Sequence, residues 1–510
     1  MKRNKLSVLA ALAAVVSLTS CSGLPKGKGG GGGGGGTTAN VSFTMVSDTL
    51  PTNLGIISFV VTVNAVALTS STGTQTTLAP NNGKGVTVDL ARLQSDSAFL
   101  GTMPGVPTGA NSSITVSFAP TVKLTFFNGS GASITSLTPN CLANQICTTT
   151  LTVVGAPVIT SSQTISGNTG IGIDFNLANS LSVSGGKLSI NLSNSGTTNV
   201  VSAFALPRTG SNLAAGQLDL IEDFTGVVTL GSPGVTIASA TAAGRGSIAA
   251  SSVAGTTVYD QDPTQTLCPA GTATLSGCVA TNGAASMDAI LKSDGTFTVQ
   301  EIEPLLNTLQ DTVEGTVVLI TNQTQFELVA TDLIPAGTNS NIGSLSLGDP
   351  LTVNLANGPA FWVDTKGLAV GAATGNFQGM TDTTALHPGQ SVAVHVVSFT
   401  AANGATPAIA NGVNVVTLRW SRFISTVNTA STPQFGVTNL PGYFGFSAAS
   451  IFNIQTYAGT PGADGITNLD GITTTGNLNA NQPVAIRALF IEDPGNTINP
   501  PFFAAKVRQQ

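Results

Sequence analysis

Charged side chains are scarce in this 510-residue chain, at 8% of residues, against ~25% in an average globular domain. Five of its 18 Lys and Arg (Lys2, Arg3, Lys5, Lys26 and Lys28) precede Thr38, so the remainder sets 13 bases against 24 acids. Binding to phosphates needs clustered Lys and Arg, and an acidic, thinly charged body excludes nucleic acid as an expected partner. There are only two histidines, two tryptophans and three tyrosines. A three-ligand zinc site at His387 and His395 would therefore have to recruit carboxylates such as Asp364 or Asp382, and no metal or other cofactor is expected. No GxSxG, HExxH or Walker-type sequence occurs, which removes the commonest signatures of hydrolases and nucleotide-binding enzymes. After the first twenty residues no apolar run approaches the ~20 residues a membrane-spanning helix requires.

What is present begins with an address. Lys2, Arg3 and Lys5 precede an apolar stretch from Leu6 to Leu18, the charge and length pattern of a secretion signal. Leu18-Thr19-Ser20-Cys21 resembles the lipobox of bacterial lipoproteins, which implies cleavage before Cys21, a diacylglycerol on its sulfur and acylation of the new amino terminus. Lipid chains contribute ~0.8 kcal/mol per buried methylene, enough to hold a protein on a membrane without a spanning helix. Ser22 at the next position implies, by the same resemblance, the outer membrane of the cell envelope. Residues 21–38 include eight consecutive glycines, Gly29 to Gly36, and read as a flexible tether.

The other four cysteines fall into two close pairs, Cys141 with Cys147 and Cys268 with Cys278. In an exported chain these read as two local disulfides. Between them strand patterns dominate. Ile114, Val116 and Phe118 alternate with Ser113, Thr115 and Ser117; Ile171, Ile173, Phe175 and Leu177 alternate with polar or small neighbours; Leu188, Ile190 and Leu192 do the same. A period of two places each apolar set on one face of a half-buried strand. Asn-Gly and Asp-Gly turns recur between such runs, as in all-β folds. Only Leu90 to Leu100 and Ile302 to Leu309 read as short helices. The sequence predicts an all-β protein, with an N-terminal β-sandwich at 39–206 followed by tandem small β-barrel or sandwich modules at 221–305, 311–412 and 415–508.

The module assignment rests on repetition. Leu386-His387-Pro388-Gly389-Gln390-Ser391-Val392-Ala393-Val394-His395 matches Leu478 to Arg487, and Met287-Asp288-Ala289-Ile290 is a weaker echo. Each copy has an upstream opening strand, FTGVVTL from Phe224, VEGTVVLI from Val313 and RWSRFIS from Arg419. These modules resemble the small repeated β domains known as domain of unknown function 5666. The first body resembles domain of unknown function 4382 of bacterial surface lipoproteins. That likeness lies in VSFTMVSDTL with GIISFVVTVNAVAL, in the Asp89-Leu90 centre with its Pro107-Thr108-Gly109 turn, and in the closing IGIDFNLANSLSV, where Asn176 replaces the family's second acid. The resemblance implies fold and surface location and carries no catalytic signature.

Candidate chemistry is sparse. Glu301 and Glu303 would share a strand face, whereas adjacent Glu222 and Asp223 would point to opposite faces, and all four are expected to be solvated acids at module borders. Asp260 with Asp262, and Asp464 with Asp470, offer oxygen ligands for calcium but lack the spacing of an EF-hand. Trp362, Trp420 and Tyr443 could form a sugar-stacking platform if exposed on one concave face. The expected role is a non-catalytic one in binding, adhesion or envelope structure, held to the membrane by its lipid, with a surface glycan or envelope protein as partner. Alternatives are a carbohydrate-binding protein in the strict sense and a secreted hydrolase.

Overall fold

Period-two segments become strands with the expected faces: in Gly109–Phe118 the side chains of Ile114 and Val116 are buried while Thr115 and Ser117 are half exposed. The structure, a computed structural model, describes residues 37–510 apart from 49–53, 154–156, 161–162, 195–198, 232–233, 239–243, 261–267, 269–271, 273, 306–309, 337–339, 405, 460–464 and 492–500. The secretion signal, Cys21 and the glycine tether lie outside the described residues. Among those described, no helix is long and apolar enough to cross a membrane.

The chain up to Leu206 builds a sandwich. One sheet orders Val201–Leu206, Thr169–Asn176, Thr38–Asp48 and Ala98–Pro107; the other collects eight strands around the long Leu54–Ser70. A single apolar core fills the space between them, with the Phe59 and Phe175 rings meeting edge-on at 6.0 Å. Asn176, in place of an acid, accepts a hydrogen bond from the Asn179 backbone at 2.9 Å and so caps the turn that follows. Both cysteine pairs form disulfides, Cys141 with Cys147 and Cys268 with Cys278.

The two expected helices are not formed as such. After Asp89 there is one short turn of 3-10 helix, Arg92–Gln94, and then a strand from Ala98. Asp89 Oδ1 accepts from the backbone N–H groups of both Phe59 and Ala91, at 2.8 and 3.0 Å, so it ties the segment to the neighbouring strand at the point where a helix would start. Ile302 to Leu305 continues the strand Phe297–Leu305, paired to Met287 and its neighbours; 306–309 lie outside the described residues.

Three barrels follow. The first uses Gln217–Leu230, Gly234–Ala238, Ser247–Ser251, Ala284–Lys292 and Phe297–Leu305. The second uses Asp311–Asn322, Gln325–Ile334, Pro350–Val363, Ser391–Val396 and Ala408–Arg419. The third uses Ser421–Thr429, Gln434–Thr438, Phe452–Gln455, Pro483–Phe490 and Phe502–Gln509. In each, the first three strands form a meander, the first also pairs with the fourth, the fourth with the fifth, and the fifth closes the ring by pairing in parallel with the third. Such closure leaves few exposed strand edges to aggregate. Strand boundaries place Arg419 at the end of the second barrel and Ser421 at the start of the third, so the run RWSRFIS is divided between two modules and the second extends beyond residue 412.

The sequence repeat has a structural counterpart in the turn before each fourth strand. Val228, Val317 and Val427 each exchange two backbone hydrogen bonds of 2.8–2.9 Å with that turn, reaching Asn282 and Gly283, Gly389 and Gln390, and Asn481 and Gln482 respectively. The turn requires a left-handed residue, and Asn282, Gly389 and Asn481 occupy it with φ of 68°, 93° and 65°; Gly and Asn are the residues that tolerate it. Gly389 is needed for a second reason, since a Cβ there would lie 2.2 Å from the Phe444 ring of the third barrel. These three turns fix a common register for comparing the barrels residue by residue.

Candidate functional site

Six residues beyond the left-handed turn position, the three barrels carry Asp288, His395 and Arg487. The same register pairs Glu301 with Asp288 and Glu303 with Ser286 in the first barrel, and Lys506 with Arg487 and Arg508 with Ala485 in the third. On the opening strands, Asp223 meets Asp288 through its backbone N–H at 2.7 Å, Thr312 lies opposite His395, and Arg422 lies opposite Arg487. One outward patch of the same module is therefore acidic in the first barrel (Asp223, Asp288, Glu301, Glu303), neutral in the second and basic in the third (Arg422, Arg487, Lys506, Arg508).

These patches meet. Arg487 places Nη1 2.7 Å from Glu222 and Nη2 2.5 Å from Asp223. Lys506 bonds to Glu222, Arg422 bonds to Asp223, and Arg422 Nε lies 2.5 Å from Asp96 on the sandwich turn. From the second barrel, Lys366 sits 2.9 Å from Asp223 and 3.5 Å from both Asp288 and Glu301, while Arg419 bonds to Asp364 and lies 3.2 Å from Glu303. Arg92 on the sandwich reaches Glu314 at 3.6 Å and Asp332 at 3.5 Å. Nine acids and six bases are thus gathered in a buried hub between the modules, to which all four contribute.

The acids of the hub are not the solvated border residues expected from the sequence. Glu222 is fully buried and Asp223 is 2% exposed. Nor do these two point apart: pairing slips between Ile221 and Phe224, Asp223 takes a φ of 47°, and this bulge turns both carboxylates toward one guanidinium. Burial alone would raise the Asp223 carboxyl, but Arg487, Lys366 and Arg422 together hold it well below the usual carboxylate range. Glu301 has the opposite balance: burial pushes it up to about 8, with Lys366 opposing only in part and Asp288 adding to the rise. Burial likewise raises Glu222 and Asp332 and lowers His395 to about 4. Three cavities border the hub among the described residues, one beside Arg92 and Asp332, one beside His395 and Arg419, and one beside Arg422 and Trp420, each of about 20 Å³. That is room for a water molecule and not for a substrate.

A larger cavity of about 250 Å³ opens where the sandwich meets the first and third barrels. Its apolar wall includes Phe204, Leu206, Leu218, Leu220 and Leu469; its polar end holds Arg208, Asp219, Asp470, Lys506 and Arg508; the connection 211–214 borders it on the outside. Arg508 is fully engaged, with Asp470 at 2.7 Å, the carbonyls of Leu93 and Asp96 at 3.1 and 2.8 Å, and the Ser97 hydroxyl at 3.0 Å. Arg208 lies 4.5 Å above the Phe204 ring, donates to the Gln509 carbonyl at 3.3 Å and stands 3.8 Å from Asp174. Burial raises Asp219 and Asp174, whereas Arg508 and Lys506 overcome burial and lower Asp470.

The aromatic platform is not assembled. Trp420 is 1% exposed, with the Arg487 guanidinium 5.3 Å from its ring, and Tyr443 is 7% exposed in the turn Gly442–Phe444. Trp362 remains half-buried on the strand Pro350–Val363, without those two beside it at the surface. His395 is buried opposite Thr312, Asp364 is bound to Arg419 and Asp382 caps its own turn by accepting from Thr384, so the histidines and acids are not gathered into a ligand set. Among the described residues, no group of three or more His, Cys, Asp and Glu side chains could hold a metal ion. Of the calcium candidates, Asp262 and Asp464 lie outside the described residues and Asp470 is paired to Arg508.

Sequence reasoning missed the hub and the cavity. One signal was available: at the repeat position where His395 matches Arg487, the weaker echo carries Asp288. Acid, neutral and base at one position of a repeat is the pattern expected of modules that pack on each other. No protein-family model matches this chain, and no curated protein matches it. Among solved structures, the chain titled "drosophila Unr CSD456" aligns over 56% of this chain and 97% of that chain, with 10% sequence identity and a TM-score of 0.11. A likeness that slight carries no argument about function.

Proposed function

We propose that this chain is an exported, lipid-anchored envelope protein that binds a small ligand in the cavity between its sandwich, first barrel and third barrel, without catalysing a reaction. The cavity carries the reading. It is an apolar space with a few convergent polar groups, the usual character of a ligand site. The acids best suited to acid–base work are occupied in the hub against guanidinium and ammonium groups, where the adjoining space admits only water. Burial of Trp420 and Tyr443 weighs against sugar stacking. The anchoring half of the proposal rests on Cys21 and its leader, and intact mass measurement of the mature amino terminus should find acyl chains there; an unmodified Cys21 would remove it.

Leu213 is half-buried on the outer border of the cavity, so Leu213→Trp fills the space without disturbing either core. Native mass spectrometry after exposure of the full chain to a mixture of small amphipathic compounds is expected to show a one-to-one adduct on the parent protein and none on Leu213→Trp. Equal adducts on both, or none on either, would contradict a ligand site here.

A further inference from the structure

We propose that the ligand of this cavity is a compact amphipathic carboxylate, its head paired with Arg208 and its apolar body lying against Phe204, Leu206, Leu218 and Leu469. This rests on the ligand-binding reading above and adds the chemical class. Three cationic side chains line the cavity, and two are committed: Lys506 to Glu222, and Arg508 to Asp470, three backbone carbonyls and Ser97. Arg208 differs. Its polar contacts are a carbonyl at 3.3 Å and a carboxyl oxygen at 3.8 Å, both longer than the ~2.7–2.9 Å of a good charge-assisted hydrogen bond.

The surroundings of Arg208 favour an added anion. Burial and the like charge of Arg508 both push its guanidinium down from the ordinary range, and burial pushes Asp174, its ion-pair partner at 3.8 Å, toward the protonated form, which weakens that pair. A planar carboxylate offers two acceptors to the guanidinium fork, a match that a hydroxyl or an ammonium group cannot make. A phosphate dianion is disfavoured, because Asp174, Asp219 and Asp470 all surround the same end. At about 250 Å³ the cavity sits just below the ~300–1,000 Å³ of drug-sized ligand sites, which points to a body the size of an aromatic ring or a medium-length alkyl chain rather than a full lipid.

Isothermal titration of the full chain with octanoate, octan-1-ol and octylamine tests this class. Octanoate is expected to bind about tenfold more tightly than either comparator, a difference of the size one added charge-assisted pair supplies. Arg208→Gln should remove that preference while leaving octanol affinity unchanged, which also reports that the cavity is intact; Arg208→Lys, keeping the charge but losing the fork, should fall between. Leu213→Trp should abolish binding of all three. If octanoate binds no better than octanol, or Arg208→Gln leaves the preference intact, the carboxylate assignment falls and the ligand site stands. If none of the three binds, or Leu213→Trp binds them all as the parent does, the site and its ligand class fall together.

Discussion

Arg487→Met is expected to lower the stability of the folded body by about 3–5 kcal/mol, the usual consequence of removing one partner from a buried charge pair. Arg487 is 2% exposed, and it holds Glu222 and Asp223 at once while covering the face of Trp420. Without it, two carboxylates remain desolvated, with Lys506, Lys366 and Arg422 unable to reach the vacated side of both. Methionine keeps much of the side-chain volume, so the loss reports charge and not a cavity. Denaturant unfolding of the two proteins reads the difference directly. A loss below ~1 kcal/mol, the range typical of exposed ion pairs, would show that the hub is wetter and looser than described.

Glu301→Gln should behave in the opposite sense, stabilising the protein at pH 8 while changing little at pH 5. The folded-state pKa of Glu301 is raised from 4.5 to about 8. Between those values the native state holds a proton that the unfolded chain has released, so ν_U minus ν_N is negative and stability falls as pH rises, by up to ~1.4 kcal/mol per pH unit. His395 works against this at lower pH: its pKa is depressed to about 4 from 6.5, so the unfolded chain binds the extra proton and stability rises with pH until about 6.5. In the window from 6.5 to 8 His395 no longer contributes, and the expected slope there is downward in the parent protein and less steep in Glu301→Gln, by the share that Glu301 carries. Asp223, held low by Arg487, Lys366 and Arg422, contributes stability that is present above its ordinary value of 3.8 and lost as the medium becomes strongly acidic. Urea unfolding at pH 6.5, 7.25 and 8 provides the measurement; parallel slopes in the two proteins would refute the assignment.

How much of this was legible in the sequence depended on the range of the interaction. Ile114 with Val116, and Ile171 with Ile173 and Phe175, announce strands because a period of two is local. Asn282, Gly389 and Asn481 mark equivalent turns because a left-handed residue is needed at one place and few residue types accept it. The cysteine pairs are close in the chain and pair as expected. The hub could not be read in this way. Arg487 and Glu222, 265 residues apart, meet only because two copies of one module turn the same outward patch toward each other. A polar residue on the outer face of a strand looks solvated when each module is considered alone, and that assumption misplaced Glu222, Asp223, Glu301 and Glu303. The aromatic residues failed for a related reason: Trp420 and Tyr443 lie outside the strand interiors of their own barrel but inside the joints between modules. Arg208 was silent because its significance comes from what its neighbours have already bound.

These observations share one physical basis, a body of four sparsely charged β modules joined through a buried cluster of acids and bases. A double-mutant cycle between Glu222 and Arg487, measured by denaturant unfolding at pH 7, tests it most directly. With Glu222→Gln and Arg487→Met as the single changes, the double variant is predicted to be more stable than the sum of the two losses implies, by about 2–3 kcal/mol, as expected for directly coupled buried groups. Additive losses, with a coupling near zero, would contradict the hub as the device that holds the acidic first barrel to the basic third.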